Sequence, residues 1–564
     1  MVTLSFFSLY VLFLSYVYGW GTLLVLKKFT GVDANHLSLV VFAGLASITT
    51  FGGVFSIFFR INWEFQLLLL MGGILLLIFL QPYKNVIGAI KKPHTKSHWI
   101  FLSFFVILCM ILIHATSLIP ANPDTSIYHA QTIHWIEHYP AIPGLANLHA
   151  RLGYNSSWLL LNAIFSFPYL GVGSFHFMTG FLFTIAAYYF LSGVSQLFQG
   201  QLNLSGILKI GFLVALFVFL LDQASSPGTD APSTLFEWIL ITQTIWLFEN
   251  YKKIPTGEYW IIALLAVYCS TIKISAFPIL LLAIPALGPL FTKNQKKSTW
   301  ILISFLAAIL LPFIIRNVIL TGYLVFPGPA IDFFHFDWRV PANIVAAESK
   351  AIHWFAAIPH MDQAEFYSLS ATKWIPIWFA NQVPRHKAIL SAVLGLPVLL
   401  AVLLVLKGWR NYLVSNKSIA FPLLTSYLGI VFWFLAAPAF RFGYGFLLSA
   451  VLIQLSMVGE FLVKRVNWTQ PLLKIALYPG MIAIMVLSTV SLPNLSSPFR
   501  RILLPLGYPD WSTEPCSFGN FTILCQVNYD ACWYDAFPCA IKGEKNVEMR
   551  GTDYSEGFRN LDNN

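Results

Sequence analysis

Residues 4–26 read LSFFSLYVLFLSYVYGWGTLLVL, an unbroken apolar run without a charged side chain. A helix crosses the apolar part of a bilayer in about 20 residues, so this run is long enough to span. It is longer than a signal-peptide core and has no basic leader, and it is therefore read as a retained membrane helix. The pattern recurs near 37–59, 63–81, 99–118, 174–198, 207–223, 234–250, 258–272, 275–291, 299–320, 388–406, 419–437, 442–463 and 472–492, which makes fourteen expected spans.

Composition agrees. Of 564 residues 57% are hydrophobic and 10% charged, where a soluble domain carries about 25% charged residues. A membrane barrel would instead show alternation in segments of about ten residues. The expected fold class is an all-α polytopic membrane protein of about 14 transmembrane helices.

The net charge of +10 does not point to nucleic acid. Lys and Arg stand mostly at segment ends, where cytoplasmic loops collect them, and no nucleic-acid motif is present. The groups Lys27/Lys28, Lys84/Lys91/Lys92/Lys96, Lys252/Lys253, Lys293/Lys296/Lys297, Lys407/Arg410/Lys417 and Lys464/Arg465/Lys474 all fall on one side if fourteen segments span. Both chain ends then lie on the opposite, outer side. The apolar segment Ser156 to Leu170 is too short to span and would invert everything after it, so it is expected as an amphipathic or re-entrant helix at the outer interface.

This threading divides the chain into N-terminal helices (1–98), a core (99–492) and a polar tail (493–564). The core has large outer loops at 119–173 and 321–387. The tail holds Cys516, Cys525, Cys532 and Cys539. Four clustered cysteines suggest two disulfides in an oxidising compartment. Zinc is the other reading, although the usual close pairs are missing.

The polar residues gather on the outer side. The first loop runs Asn122-Pro-Asp124-Thr-Ser-Ile-Tyr128-His129 and continues to His134, His138, Arg151 and Tyr154. A helix from about Ser126 to Tyr139, stopped by Pro140, puts Tyr128, Gln131 and Trp135 on one face below Asp124. Asp124 reads as a general base among aromatics or, equally, as a helix N-cap. His134 and His138 have metal-pair spacing, but loop histidines are more often hydrogen-bonded surface groups. Asp230, before Pro232, reads as a turn residue or a second acid, with Asp222 as the competing position. Lys273 lies between two apolar runs, as a snorkelling lysine or one facing a cavity. Arg316 and Arg441 sit near outer helix ends. Three cations from separate segments at one interface suit a phosphate. Trp374 and Trp378 in the second loop suit an interface belt somewhat better than a sugar face.

Asp124 with Tyr128 and His129, supported by Arg316 and Arg441, resembles the GT-C superfamily of membrane glycosyltransferases. The Asp-x-x-x-Tyr-His and Arg441-Phe-Gly-Tyr-Gly445 patterns and the cysteine-bearing tail are also similar to a group of large bacterial inner-membrane proteins. The GT-C resemblance implies transfer of a sugar from a polyprenyl-phosphate carrier to a glycan or lipid acceptor outside the cytoplasm, in cell-envelope glycan assembly. It implies Asp124 as base, Arg316, Arg441 and Lys273 on the leaving phosphate, and Asp230 on the acceptor or on a divalent cation (Mg or Mn), which stays open. The location implied is the bacterial inner membrane, with loops and tail in the periplasm among membrane lipids. A transporter or flippase of a lipid-linked or polar solute is the rival. It is disfavoured because no internal repeat is evident and the polar residues avoid the midplane. A non-catalytic envelope scaffold is a third reading.

Overall fold

Inside lipid a backbone must satisfy its own hydrogen bonds, so long apolar runs become helices. The computed structural model describes residues 1–465 except 31–35, 85–95, 172–173, 252–255, 289–295 and 331, then 471, 479–480, 502–509, 511–526, 531–540 and 546–561. Ten helices among these residues are long and apolar enough to cross a membrane: Val2–Thr30, Leu37–Phe58, Trp63–Leu80, His98–Thr116, Met178–Gln199, Leu204–Gln223, Thr299–Thr321, Pro384–Val405, Lys417–Ala436 and Phe440–Val463. The chain is thus a polytopic helical membrane protein.

The other expected spans take different forms. Asp230–Asn250 is a helix buried along most of its length, enclosed by its neighbours. Thr256–Ile272 is shorter, and the next segment is a 3-10 helix, Ile274–Ala283, followed by the short helix Ile284–Leu287. The expected span 472–492 lies outside the described residues apart from Pro479 and Gly480, as do Lys91, Lys92, Lys252, Lys253, Lys293 and Lys474.

Helix contacts depend on small residues. Val2–Thr30 and Leu37–Phe58 cross so closely that a Cβ on Gly44 would lie 1.7 Å from the Ser15 carbonyl oxygen, and one on Gly19 would lie 1.8 Å from that of Val40. Only glycine allows two backbones this near, and such contacts hold helices together where lipid offers no hydrophobic drive.

The apolar segment Ser156 to Leu170 is buried in its first part and ends at the exposed Tyr169 and Leu170. It forms the helix Ser157–Ile164, whose residues from Trp158 to Ile164 are all buried in protein. Its N-cap Ser156 accepts the Trp158 N–H.

The tail departs from the all-α expectation. It carries two antiparallel two-stranded sheets, Thr513–Phe518 with Phe521–Gln526 and Val547–Met549 with Phe558–Asn560. Disulfides join Cys516 to Cys525 and Cys532 to Cys539, so none of the four thiols is left for zinc. The tail caps the first loop. Cys532 and Trp533 donate N–H to the Ser126 carbonyl at 2.8 and 3.0 Å, and Gln131 donates to the carbonyls of Trp533 and Ala536. It also reaches the second loop, where Arg550 pairs with Asp337 at 2.7 Å.

Candidate functional site

The first loop enters the site through a tight start. The Asn122 side chain accepts the Asp124 N–H at 3.0 Å and donates to Gln223 at 3.1 Å, which ties this turn to the loop after Leu204–Gln223. Thr125 and Ser226 share a hydroxyl contact of 2.7 Å across the same seam. The chain then makes one π-helical turn, Thr125–His129, before the helix Ala130–His138. Such turns re-aim side chains and recur at functional sites. Asp124 caps this turn by position, yet its side chain makes no capping hydrogen bond. Its carboxylate points instead to Arg441, whose Nη2 donates to Oδ2 at 2.7 Å.

Arg441 opens the helix Phe440–Val463 and serves two acids, since its Nε lies 3.5 Å from Asp230 Oδ2. Asp230 is the first residue of its helix and accepts a hydrogen bond from Lys273 Nζ through its other oxygen. Lys273 occupies the break between Thr256–Ile272 and the 3-10 helix, in extended backbone. The Phe442 ring lies beneath both cations, 3.5 Å from Lys273 Nζ and 4.9 Å from the Arg441 guanidinium. Four segments distant in sequence therefore meet in one alternating chain of charge: Asp124, Arg441, Asp230, Lys273.

These residues line a cavity of about 390 Å³ with Tyr128, His129, Arg151, Tyr154, Asn155, Asn317 and Glu348. Phe313, Ile352, Phe355 and Phe432 give it an apolar flank. Arg151 touches two acids at arm's length, Asp124 and Glu348, both at 3.9 Å. Tyr154 donates its hydroxyl to Glu348, which the helix Ala342–Ala357 supplies from the second loop.

Burial alone would raise the Asp124 carboxyl; Arg441 above all, with Arg151 and Lys273, outweighs it and holds the group below the usual carboxylate range. Burial pushes the His129 imidazole down to about 4, so it is neutral at pH 7. Asp124 and Asp230 are paired with Arg441 and Lys273, and among the described residues neither acid belongs to a group of three metal-ligating side chains.

Six of the seven residues singled out from sequence line this cavity: Asp124, Tyr128, His129, Asp230, Lys273 and Arg441. Arg316 does not. Its guanidinium turns to Ser56, with Nη1 at 2.7 Å from Oγ, and to Asn155, beside a small neighbouring void. Its chain neighbour Asn317 faces the cavity instead. Asp222 is exposed and outside the cavity, so of the two competing acids Asp230 is the inner one. Trp378 is buried against Trp433, Phe434 and Phe440. Arg151 and Glu348 belong to the site but were not selected from sequence; Arg151 stood in the same loop as Asp124, and Glu348 carried no signal.

A family model described as a domain of unknown function (DUF8201) matches residues 1–448, which include every residue of this cavity. No curated protein and no solved structure matches the chain.

Proposed function

The chain belongs to the family DUF8201, and within it we propose a membrane glycosyltransferase that moves a sugar from a polyprenyl-phosphate carrier to an extracytoplasmic acceptor. One observation carries this reading: acids and cations from four distant segments converge on a single cavity whose other flank is apolar. A lipid phosphate asks for that combination, with cations for the head and an apolar wall for the chain.

In this reading Arg441 and Arg151 receive the phosphate. The bond between the anomeric carbon and the phosphate oxygen breaks, and its electron pair leaves on the phosphate. The acceptor oxygen bonds to that carbon, and its proton passes to Asp124. While paired with Arg441, Asp124 is a weak base, because its proton affinity is depressed. A phosphate that draws Arg441 toward itself returns basicity to Asp124, so donor binding prepares the base. Preplaced cations then stabilise the departing charge. The loops, the cavity and the tail face the periplasm of a bacterial inner membrane.

The test is Asp124→Asn in a chain shown to insert and fold. Transfer from polyprenyl-phosphate sugars is expected to fall by about 100-fold or more. Retained transfer removes Asp124 as the base. Passage of the lipid-linked sugar across a vesicle membrane without a covalent product would favour the transporter.

A further inference from the structure

The helix Ala130–His138 turns a second group of polar side chains away from the cavity and toward the tail. His134, Glu137 and His138 each place one donor atom within 4.8 Å of the other two. His134 and His138 stand one helical turn apart, with ring centroids separated by 4.5 Å.

Both imidazoles are already oriented. Nδ1 of His134 lies 2.8 Å from the Tyr534 carbonyl oxygen, and Nδ1 of His138 lies 3.0 Å from that of His134. A carbonyl only accepts, so each Nδ1 carries the proton and each Nε2 keeps its lone pair. Metal-binding histidines are held in this way by the atoms around them. His134 is also fixed sideways, stacked between Tyr534 at 4.2 Å and Phe537 at 4.0 Å.

Glu137 is fully buried. Among the described residues its carboxylate takes hydrogen bonds from two hydroxyls, Ser166 and Tyr534, the latter at 2.5 Å, and pairs with no cation. Buried carboxylates are ordinarily matched by a cation or a metal. Each oxygen keeps a second lone pair for a ligand.

We propose that His134, His138 and Glu137 bind one divalent ion of the zinc class, clasping the first loop to the tail. Two nitrogens and one oxygen suit zinc, while magnesium and calcium prefer oxygen alone. Water completes the tetrahedron. Zinc bonds of about 2.0–2.2 Å draw donors to roughly 3.5 Å apart. His138 is the ligand that turns in, because it is exposed while the other two are held. Tyr534 gives its carbonyl to His134 and its hydroxyl to Glu137, so the ion and the tail hold each other. This site is independent of the cavity and of the transferase reading.

The test uses the full chain purified in detergent without a polyhistidine tag. It is stripped with EDTA, dialysed, and titrated with zinc chloride or magnesium chloride. About one zinc per chain is expected by elemental analysis, with a rise of several degrees in melting temperature and slower proteolysis of the tail. Magnesium is expected to do none of this. His138→Ala should melt like the stripped parent yet lose the zinc response, and its exposed position keeps folding out of the comparison. Failure of the parent to retain zinc at micromolar concentration, or equal zinc retention by His138→Ala, overturns the proposal.

Discussion

Arg441 joins two acids that would otherwise face each other without compensation, so its removal should cost more than the loss of a surface charge. Its guanidinium lies 2.7 Å from Asp124 and 3.5 Å from Asp230. Those acids are 19% and 11% exposed, while Arg441 itself is 35% exposed. Breaking a wholly buried pair costs about 3–5 kcal/mol, and an exposed pair is worth at most about 1 kcal/mol. Solvent reaches Arg441, so Arg441→Gln should lie between these limits, near 2 kcal/mol. Asp124→Asn leaves Arg441 with Asp230 and should cost about 1 kcal/mol. The double substitution removes the stranded charge along with its partner. It should therefore be less damaging than the sum of the two by about 1 kcal/mol. Denaturation of the detergent-purified variants, followed by tryptophan fluorescence, measures this difference. Asp222→Asn, outside the cavity, serves as the control and should add independently to Arg441→Gln. Additivity of Asp124→Asn and Arg441→Gln within about 0.3 kcal/mol would refute the charge chain.

Other consequences follow from burial and close approach. Gly44→Ala puts a Cβ against backbone that cannot yield, so it should destabilise the chain by about 2 kcal/mol or more, read as a lower melting temperature. Cys532→Ser with Cys539→Ser opens a loop closed over a separation of 7 residues, at a cost of roughly 2–3 kcal/mol. Proteolysis should then cut the tail faster while the membrane helices stay intact. Burial, and after it Arg151, pushes His149 down to about 4. Below about pH 6.5 the unfolded chain takes up a proton that the folded chain refuses until about pH 4, so stability falls across that window by at most about 3 kcal/mol. The contribution of His149 should appear as a shallower loss of melting temperature between about pH 6.5 and pH 4 in His149→Gln than in the parent.

The helices were legible because lipid imposes a length and a composition that few other structures share. What the apolar runs do not carry is whether a segment meets lipid or protein. Asp230–Asn250 reads like its neighbours but is enclosed, and the run after Lys273 winds as a 3-10 helix. The tail strands did leave a trace. Phe518-Gly-Asn-Phe521 is a hairpin turn between alternating residues, with Gly519 at φ +43°, a conformation glycine adopts readily. Cys516 and Cys525 flank that turn, and four clustered cysteines signal a staple whether or not strands lie between them. In the site, Asp124, Asp230, Lys273 and Arg441 were visible as charges beside helix ends, where a charge demands a reason. Arg316 shows the limit of depth as a guide. Successive helical residues point about 100° apart, so Asn317 faces the cavity while Arg316 faces Ser56. Glu348 was hidden because nothing in the second loop's sequence fixes which side of Ala342–Ala357 turns inward.

The charges around the cavity also limit what it can hold. Asp124, Asp230 and Glu348 stand against Arg151, Lys273 and Arg441, so the lining is close to neutral rather than a ready anion trap. An incoming anion must compete with resident carboxylates, and the contacts differ in how easily they yield. Lys273 is committed to Asp230 by a direct hydrogen bond and rests on Phe442. Arg441 is bonded to Asp124 but has donors to spare. Arg151 meets both of its acids only at 3.9 Å, beyond hydrogen-bond length, so its planar fork remains the least engaged. If the cavity takes a phosphate, Arg151 is the cation expected to meet it first and Arg441 second, and each step would loosen the cations that hold Asp124. Arg151→Lys keeps the charge but loses the fork. If the cavity binds a phosphate, that change should weaken donor binding more than it weakens the fold. If the cavity binds an uncharged solute, the two effects should be equally small.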